Sequence, residues 1–113
     1  FGIGGSQTLV IRGRQSGEPQ AVPVIPVEVE GVRYLVSARG ESQWVRNLRA
    51  AHGACELRSK GRTEQFIATE VPAAERAPIL TAYQAKAGRT VKGYFQKLPA
   101  PGDHPVFEVK ATG

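Results

Sequence analysis

Val22-Pro23-Val24-Ile25-Pro26-Val27-Glu28-Val29-Glu30-Gly31-Val32-Arg33-Tyr34-Leu35-Val36 is the stretch on which the fold turns. Val27 and Val29 alternate with Glu28 and Glu30, the period-two pattern of a half-buried strand. Glu30-Gly31 is a tight-turn pair and residues 32–36 return as a second strand, so the stretch reads as a β-hairpin. Pro23 and Pro26 take ladder donors out of the first arm. That suits an edge, a bulge or the bend at a barrel corner better than a central flat strand.

Further hairpin signals lie on either side. Residues 55–58 and 64–68 flank the turn Ser59-Lys60-Gly61-Arg62, residues 8–11 form an earlier apolar strand, and residues 106–109 form the last. Between the two hairpins, residues 41–51 carry Trp44, Leu48 and Ala51 on one helical face, with Arg46 and Arg49 elsewhere and Gly53 as the stop. A second helix starts near Pro78, runs through Ile79, Leu80 and Tyr83, and stops at Gly88. Residues 97–105, with three prolines and Gly102, form a loop. The order is β-β-β-α-β-β-α-β, with no βαβ alternation and no repeat. The expected class is mainly β with small helices (α+β), and six short strands point to a closed antiparallel barrel.

Size and composition narrow the function. A chain of 113 residues is expected to form one domain, spanning residues 1–113. It has no apolar run long enough for a transmembrane helix and no secretory signal pattern. It begins at Phe1 and contains no methionine, so it is expected to lack an N-terminal segment of the native chain. The single Cys55 excludes an internal disulfide and a cysteine metal cluster, and it fits a reducing, cytoplasmic setting. In Ala54-Cys55-Glu56-Leu57 it reads as strand filler rather than as a nucleophile.

The net charge is +5, and ten of the fifteen cationic side chains are arginine. Arg12, Arg14, Arg39, Arg46 and Arg49 fall early, and Arg58, Lys60 and Arg62 form a second knot. This balance favours an anionic partner: a phosphorylated small molecule, an acidic lipid or a nucleic acid. Nucleic acid is the lesser option, since the few aromatics do not interleave with the basic residues as a stacking platform would need.

The run Gly13-Arg14-Gln15-Ser16-Gly17-Glu18-Pro19-Gln20 allows two readings. Its glycines let backbone amides approach an anion, and Arg14 adds a charged fork. The same composition also describes an ordinary hairpin connection. Self-contained catalysis finds no support. His52 and His104 stand apart from any ligand-spaced partner, so no metal site is expected. Asp103 is the only aspartate, and a nucleophile elbow, a P-loop and a dinucleotide fingerprint are all absent. Such a chain borrows its chemistry from a cofactor or is a binding protein.

Two blocks resemble a known family. They are the run from Thr8-Leu9-Val10-Ile11-Arg12 through Gly13-Arg14-Gln15-Ser16-Gly17-Glu18-Pro19-Gln20-Ala21-Val22-Pro23, and Tyr34-Leu35-Val36-Ser37-Ala38-Arg39-Gly40 followed by Gln43-Trp44-Val45-Arg46-Asn47-Leu48-Arg49. In this order and at this separation they are similar to the deazaflavin-dependent nitroreductase family, clearly from Thr8 to Leu57 and more loosely to Val109. The resemblance implies the FMN-binding-like split β-barrel of the flavin-type oxidoreductases. It also implies an 8-hydroxy-5-deazaflavin coenzyme (F-420), with FMN as the alternative. Arg14, Gln15, Ser16, Gly17 and Gln20 would line the site of the coenzyme's phosphate and acidic tail. Arg39 would add a cation there, with backbone amides from Ser37, Ala38 and Gly40. Trp44 and Asn47 would sit beside the coenzyme, and Val22, Pro23 and Val24 would wall the deazaflavin ring. Tyr83, Tyr94 and Phe95 would border the substrate side.

The family usually has lysine where Gln15 stands and arginine where Gln20 stands, which leaves this anion site two charges short. The implied function is hydride transfer from the reduced deazaflavin to an organic acceptor such as a quinone or nitro compound, by a bacterial, cytoplasmic reductase that pairs as a homodimer. Lipophilic acceptors would bring it to membranes. No residue is assigned as a catalytic acid. The alternative is a non-catalytic split barrel that binds a flavin, a fatty acid or another small anionic or apolar ligand. Trp44 serves equally as a barrel-plug core residue, Tyr83 as helix packing, and Arg46 and Arg49 as a solvated helix face.

Overall fold

In the computed structural model, which describes residues 7–112, Ile25 and Pro26 form a corner that splits the first arm of the hairpin in two. Strand β1 (Gln7–Arg12) pairs antiparallel with β2 (Pro19–Val24), while β3 (Val27–Val29) pairs antiparallel with β4 (Val32–Val36). The ends of the expected 1–113 unit, residues 1–6 and 113, lie outside the described residues. Beyond α1 (Gln43–Ala50) come the second hairpin, β5 (Ala54–Ser59) and β6 (Arg62–Glu70), then α2 (Ala77–Ala87), α3 (Arg89–Lys97) and β7 (Val106–Ala111).

The seven strands form one sheet in the order β2-β1-β5-β6-β7-β4-β3, all its pairs antiparallel. Its two edge strands, β2 and β3, are joined only through Ile25 and Pro26. Three Cα steps reach at most about 11 Å, so the sheet must curl until its edges meet at that corner. The edges are not hydrogen-bonded to each other there, which makes the barrel a split one. The barrel corner expected from Pro23 and Pro26 is found, but as a break between two strands rather than a bend within one.

Both hairpin turns are two-residue turns with positive φ at each position: 51° and 81° at Glu30 and Gly31, 51° and 79° at Lys60 and Gly61. That is the mirror-image turn whose twist matches the flanking strands. Strand alternation then sends neighbouring side chains to opposite faces. Leu35 and Phe107 join one core with Leu9, Leu57 and Phe66, which α1 plugs with Val45 and Leu48. Val36 and Val106 face the other way, onto Ile79, Leu80, Tyr83, Val91 and Phe95 of α2 and α3.

Helix α2 stops where expected, at Gly88 with φ 65°. The chain then turns into α3, a helix absent from the β-β-β-α-β-β-α-β order. Gly93 within it, and a pattern of only nine residues, hid its amphipathic face. No described helix is long and apolar enough to cross a membrane.

Candidate functional site

A cleft of about 670 Å³ opens at the split corner, between strand β2, the turn that follows β4, helix α1 and the α2–α3 pair. Its floor and one wall are apolar. Val22, Pro23, Val24 and Ile25 supply the β2 side, and Val36 at the end of β4 and Val91 of α3 close it from the other side. Trp44 leans in from α1, with its ring 6.0 Å from that of Phe107 behind it. Tyr83 and Tyr94 border the end nearest α2 and α3. Burial pushes the Tyr83 hydroxyl up from its ordinary value, so at neutral pH it is a neutral phenol.

The opposite end is polar and is built by the 37–42 turn. Ser37 is buried and held at three points: its amide donates to the Pro105 carbonyl at 2.9 Å, its hydroxyl donates to the Gly40 carbonyl at 2.6 Å, and its own carbonyl faces the His104 ring at 3.1 Å. The Gly40 amide donates to the Ser37 carbonyl at 3.3 Å. Two of the three amides assigned to an anion, those of Ser37 and Gly40, are therefore used inside the protein. The amides of Ala38 and Arg39 find no protein acceptor among the described residues, and both residues line the cleft. The Arg39 guanidinium lies over the Tyr94 ring, 5.1 Å from its centre. Ser42 and Gln43, at the first turn of α1, complete this end. Free amides, a guanidinium and a helix N-terminus are chemistry suited to a phosphate or carboxylate.

The 13–18 loop is different. It is the hairpin connection between β1 and β2, closed by the Gly13 amide on the Glu18 carbonyl at 2.8 Å and the Gly17 amide on the Gly13 carbonyl at 3.0 Å. Gln15, Ser16 and Gly17 are exposed and do not line the cleft. Its link to the cleft is Arg14, whose amide and guanidinium both donate to Asn47 Oδ1, at 3.1 Å and 2.8 Å. Asn47, on α1, is buried and lines the cleft, and so does Gln20 at the start of β2. Of the residues assigned from sequence, the cleft gathers Gln20, Val22, Pro23, Val24, Ser37, Ala38, Arg39, Trp44 and Asn47. Arg14 stands one hydrogen bond away, and Gly40, within the turn, is buried and does not line the cleft. Phe95 is not a border residue: it is buried, stacked on His104 at 4.0 Å.

Behind the turn, Arg49 holds Glu41 at 2.6 Å and Glu70 at 2.6 Å, and Arg76 also reaches Glu70 at 3.3 Å. Cys55 is buried, and desolvation pushes its thiol up to about 11, so it is an inert core residue. No group of residues suited to a metal ion occurs among the described residues.

A model of the F420H(2)-dependent quinone reductase family matches residues 3–97. The chain belongs to that family. The resemblance carried by the two sequence blocks is thereby borne out, and with it an oxidoreductase family built on the deazaflavin coenzyme. No curated protein sequence matches the chain. Solved structures agree on the fold. An F420-H2 dependent reductase, FDR-A, is 20% identical with a TM-score of 0.55, over 97% of this chain and 99% of its own. A chain described as a domain-swapped dimer is 18% identical with a TM-score of 0.67, over 96% of this chain and 81% of its own. HutZ from Vibrio cholerae, described as a heme storage protein, is 12% identical with a TM-score of 0.63, over 96% of this chain and 82% of its own.

Proposed function

We propose that the cleft binds the 8-hydroxy-5-deazaflavin coenzyme and that this family member reduces an organic acceptor, a quinone or nitro compound, beside Tyr83 and Tyr94. The carrying observation is the composition of the cleft: both sequence blocks meet there, residues 20–24 as an apolar wall and residues 37–47 as a polar end. Arg39 and the amides of Ala38 and Arg39 receive the phosphate and acidic tail, and Arg14, pinned by Asn47, supports them from the rim. Gln15, Ser16, Gly17 and Gln20 offer neutral donors along the exit. Val22, Pro23, Val24 and Trp44 hold a flat ring and keep water from its face.

The reduced coenzyme supplies a hydride when bound. The acceptor takes that hydride and one proton from solvent, so a quinone leaves as its quinol. The protein's part is position and dryness rather than an acid of its own. In this reading two copies form a homodimer, which sedimentation of the full chain tests.

A second reading, a barrel that binds FMN, a fatty acid or another ligand without turnover, is favoured by the likeness to a chain described as a heme storage protein. Titration with oxidised deazaflavin separates the two. Micromolar quenching of its fluorescence, weakened by Arg39→Ala, together with acceptor-dependent oxidation of the reduced form, supports the reductase. Absence of deazaflavin binding alongside tight FMN or heme binding overturns it.

A further inference from the structure

Asn47 is only 7% exposed, yet it lines the cleft. Its side-chain oxygen meets two donors from Arg14, the backbone amide at 3.1 Å and the guanidinium at 2.8 Å. Both of those groups only donate, so neither can face the amino end of a carboxamide. Arg14 therefore fixes which way the amide points. Oδ1 is turned to the 13–18 loop and Nδ2 away from it. Among the described residues Nδ2 makes no hydrogen bond to the protein, and no side-chain nitrogen or oxygen is both sealed from solvent and without a partner. Nδ2 must then keep open surface, and the open surface beside Asn47 is the cleft.

The surroundings offer that donor nothing strong to bind. No aspartate or glutamate lines the cleft, and the polar side chains on its α1 side are Ser42 and Gln43 next to Trp44. The Ser42 hydroxyl is engaged with that of Ser37 at 3.2 Å. An acceptor for the Nδ2 hydrogens has to arrive with a ligand. The guanidinium on the carbonyl side also polarises the amide, since hydrogen bonds in a chain strengthen one another.

We propose that Asn47 is a specificity-determining residue whose Nδ2 group donates to an oxygen of the bound coenzyme, and that Arg14 is the positioning residue that keeps this donor, rather than the carbonyl, turned to the cleft. The site then favours a ligand that presents an acceptor oxygen at this point and rejects one that presents an N–H. The contact to the coenzyme rests on the proposed function; the orientation of the amide in the free protein does not.

Fluorescence titration of variants with oxidised deazaflavin tests the donor. Asn47→Ala removes it and is expected to weaken binding about tenfold, the loss of one hydrogen bond. Asn47→Asp keeps an oxygen for Arg14 but turns its other oxygen to the cleft. Acceptor then meets acceptor, and the loss is expected to reach about a hundredfold. An Asp variant that binds as well as the Ala variant overturns the donor. Arg14→Ala combined with Asn47→Ala is expected to bind no worse than Asn47→Ala alone. Losses that multiply mean that Arg14 acts on the ligand directly, which overturns its positioning role. Side-chain amide NMR of the ligand-free full chain needs neither an Asn47 variant nor the coenzyme. The Asn47 amide signals are expected to move in Arg14→Ala, and signals that stay in place overturn the orientation. A wild type that binds no deazaflavin overturns the function and the contact to the coenzyme, while the NMR still judges the orientation.

Discussion

The 13–18 loop and the 37–42 turn are both glycine-bearing connections with one arginine and one glutamate each, next to the same cleft, yet the fold treats them differently. The first closes on its own backbone and lies in solvent, tethered by the Arg14–Asn47 contact. The second is held by Pro105, His104 and the Glu41–Arg49 pair, and its two amides without a protein acceptor belong to Ala38 and Arg39, which line the cleft. The lesson concerns preorganisation. A glycine-bearing sequence only permits amides to approach an anion; a buttress fixes such amides in place, and fixed donors lose no ordering entropy when they bind.

The sharpest way to break this contrast is at the glycines. Gly40 has φ +86°, and a Cβ there would sit 3.2 Å from the Asp103 carbonyl; Gly17 has φ +75° with nothing within 4 Å. Gly40→Ala should cost about 3 kcal/mol, from left-handed strain plus a backbone contact, and Gly17→Ala about 1 kcal/mol from strain alone. Urea unfolding of the two variants checks this, and equal costs would mean the turn is no better held than the loop.

Next in size is the pair of arginines. Arg39→Ala removes the charged donor of the buttressed turn, and deazaflavin binding should weaken roughly tenfold to a hundredfold. Arg14→Ala leaves Asn47 its bond from the residue 14 amide, so the loss should be only about threefold. Fluorescence titration of both variants orders them, and a larger loss at Arg14 would return the site to the loop.

Restoring charge to the loop is a milder change. Gln15→Lys combined with Gln20→Arg should tighten binding about fivefold at low salt, with the gain fading as ionic strength rises. A gain that resists salt would show that the loop reaches the ligand through fixed contacts after all.

Smallest is the effect of acid on the buttress. The Arg49 hydrogen bond holds the Glu41 carboxyl below its ordinary value of 4.5. A lowered carboxylate stabilises the fold above its unfolded value and loses that contribution as pH falls through the folded one. The pair is partly exposed, so the loss should stay under about 1 kcal/mol. Comparing urea midpoints of the wild type and Glu41→Gln from pH 6 downward measures it, and curves that stay parallel through the acid range would remove Glu41 from the buttress.

Much of this was legible in the residues. The alternation at Val27 and Val29, the Glu30-Gly31 and Lys60-Gly61 turns and the stops at Gly53 and Gly88 are local signals, each set by a few neighbouring backbone angles. The Arg14–Asn47 bond, by contrast, joins residues 33 positions apart, although each was singled out on its own. Helix α3 was missed because Gly93 and its short length blurred the pattern. His104 gave no signal, since its partners are main-chain carbonyls that any sequence carries.

The sequence by itself determined the strand and turn chemistry, the proline corner, the family blocks and the neutral side chains at Gln15 and Gln20, because all of these depend on near neighbours or on residue identity. Only the tertiary structure decided which glycine-bearing connection faces the cleft and which amides remain free. That choice depends on what packs behind each connection. At the 37–42 turn, it is a loop from the far end of the chain, brought there by the pairing of β7 with β4.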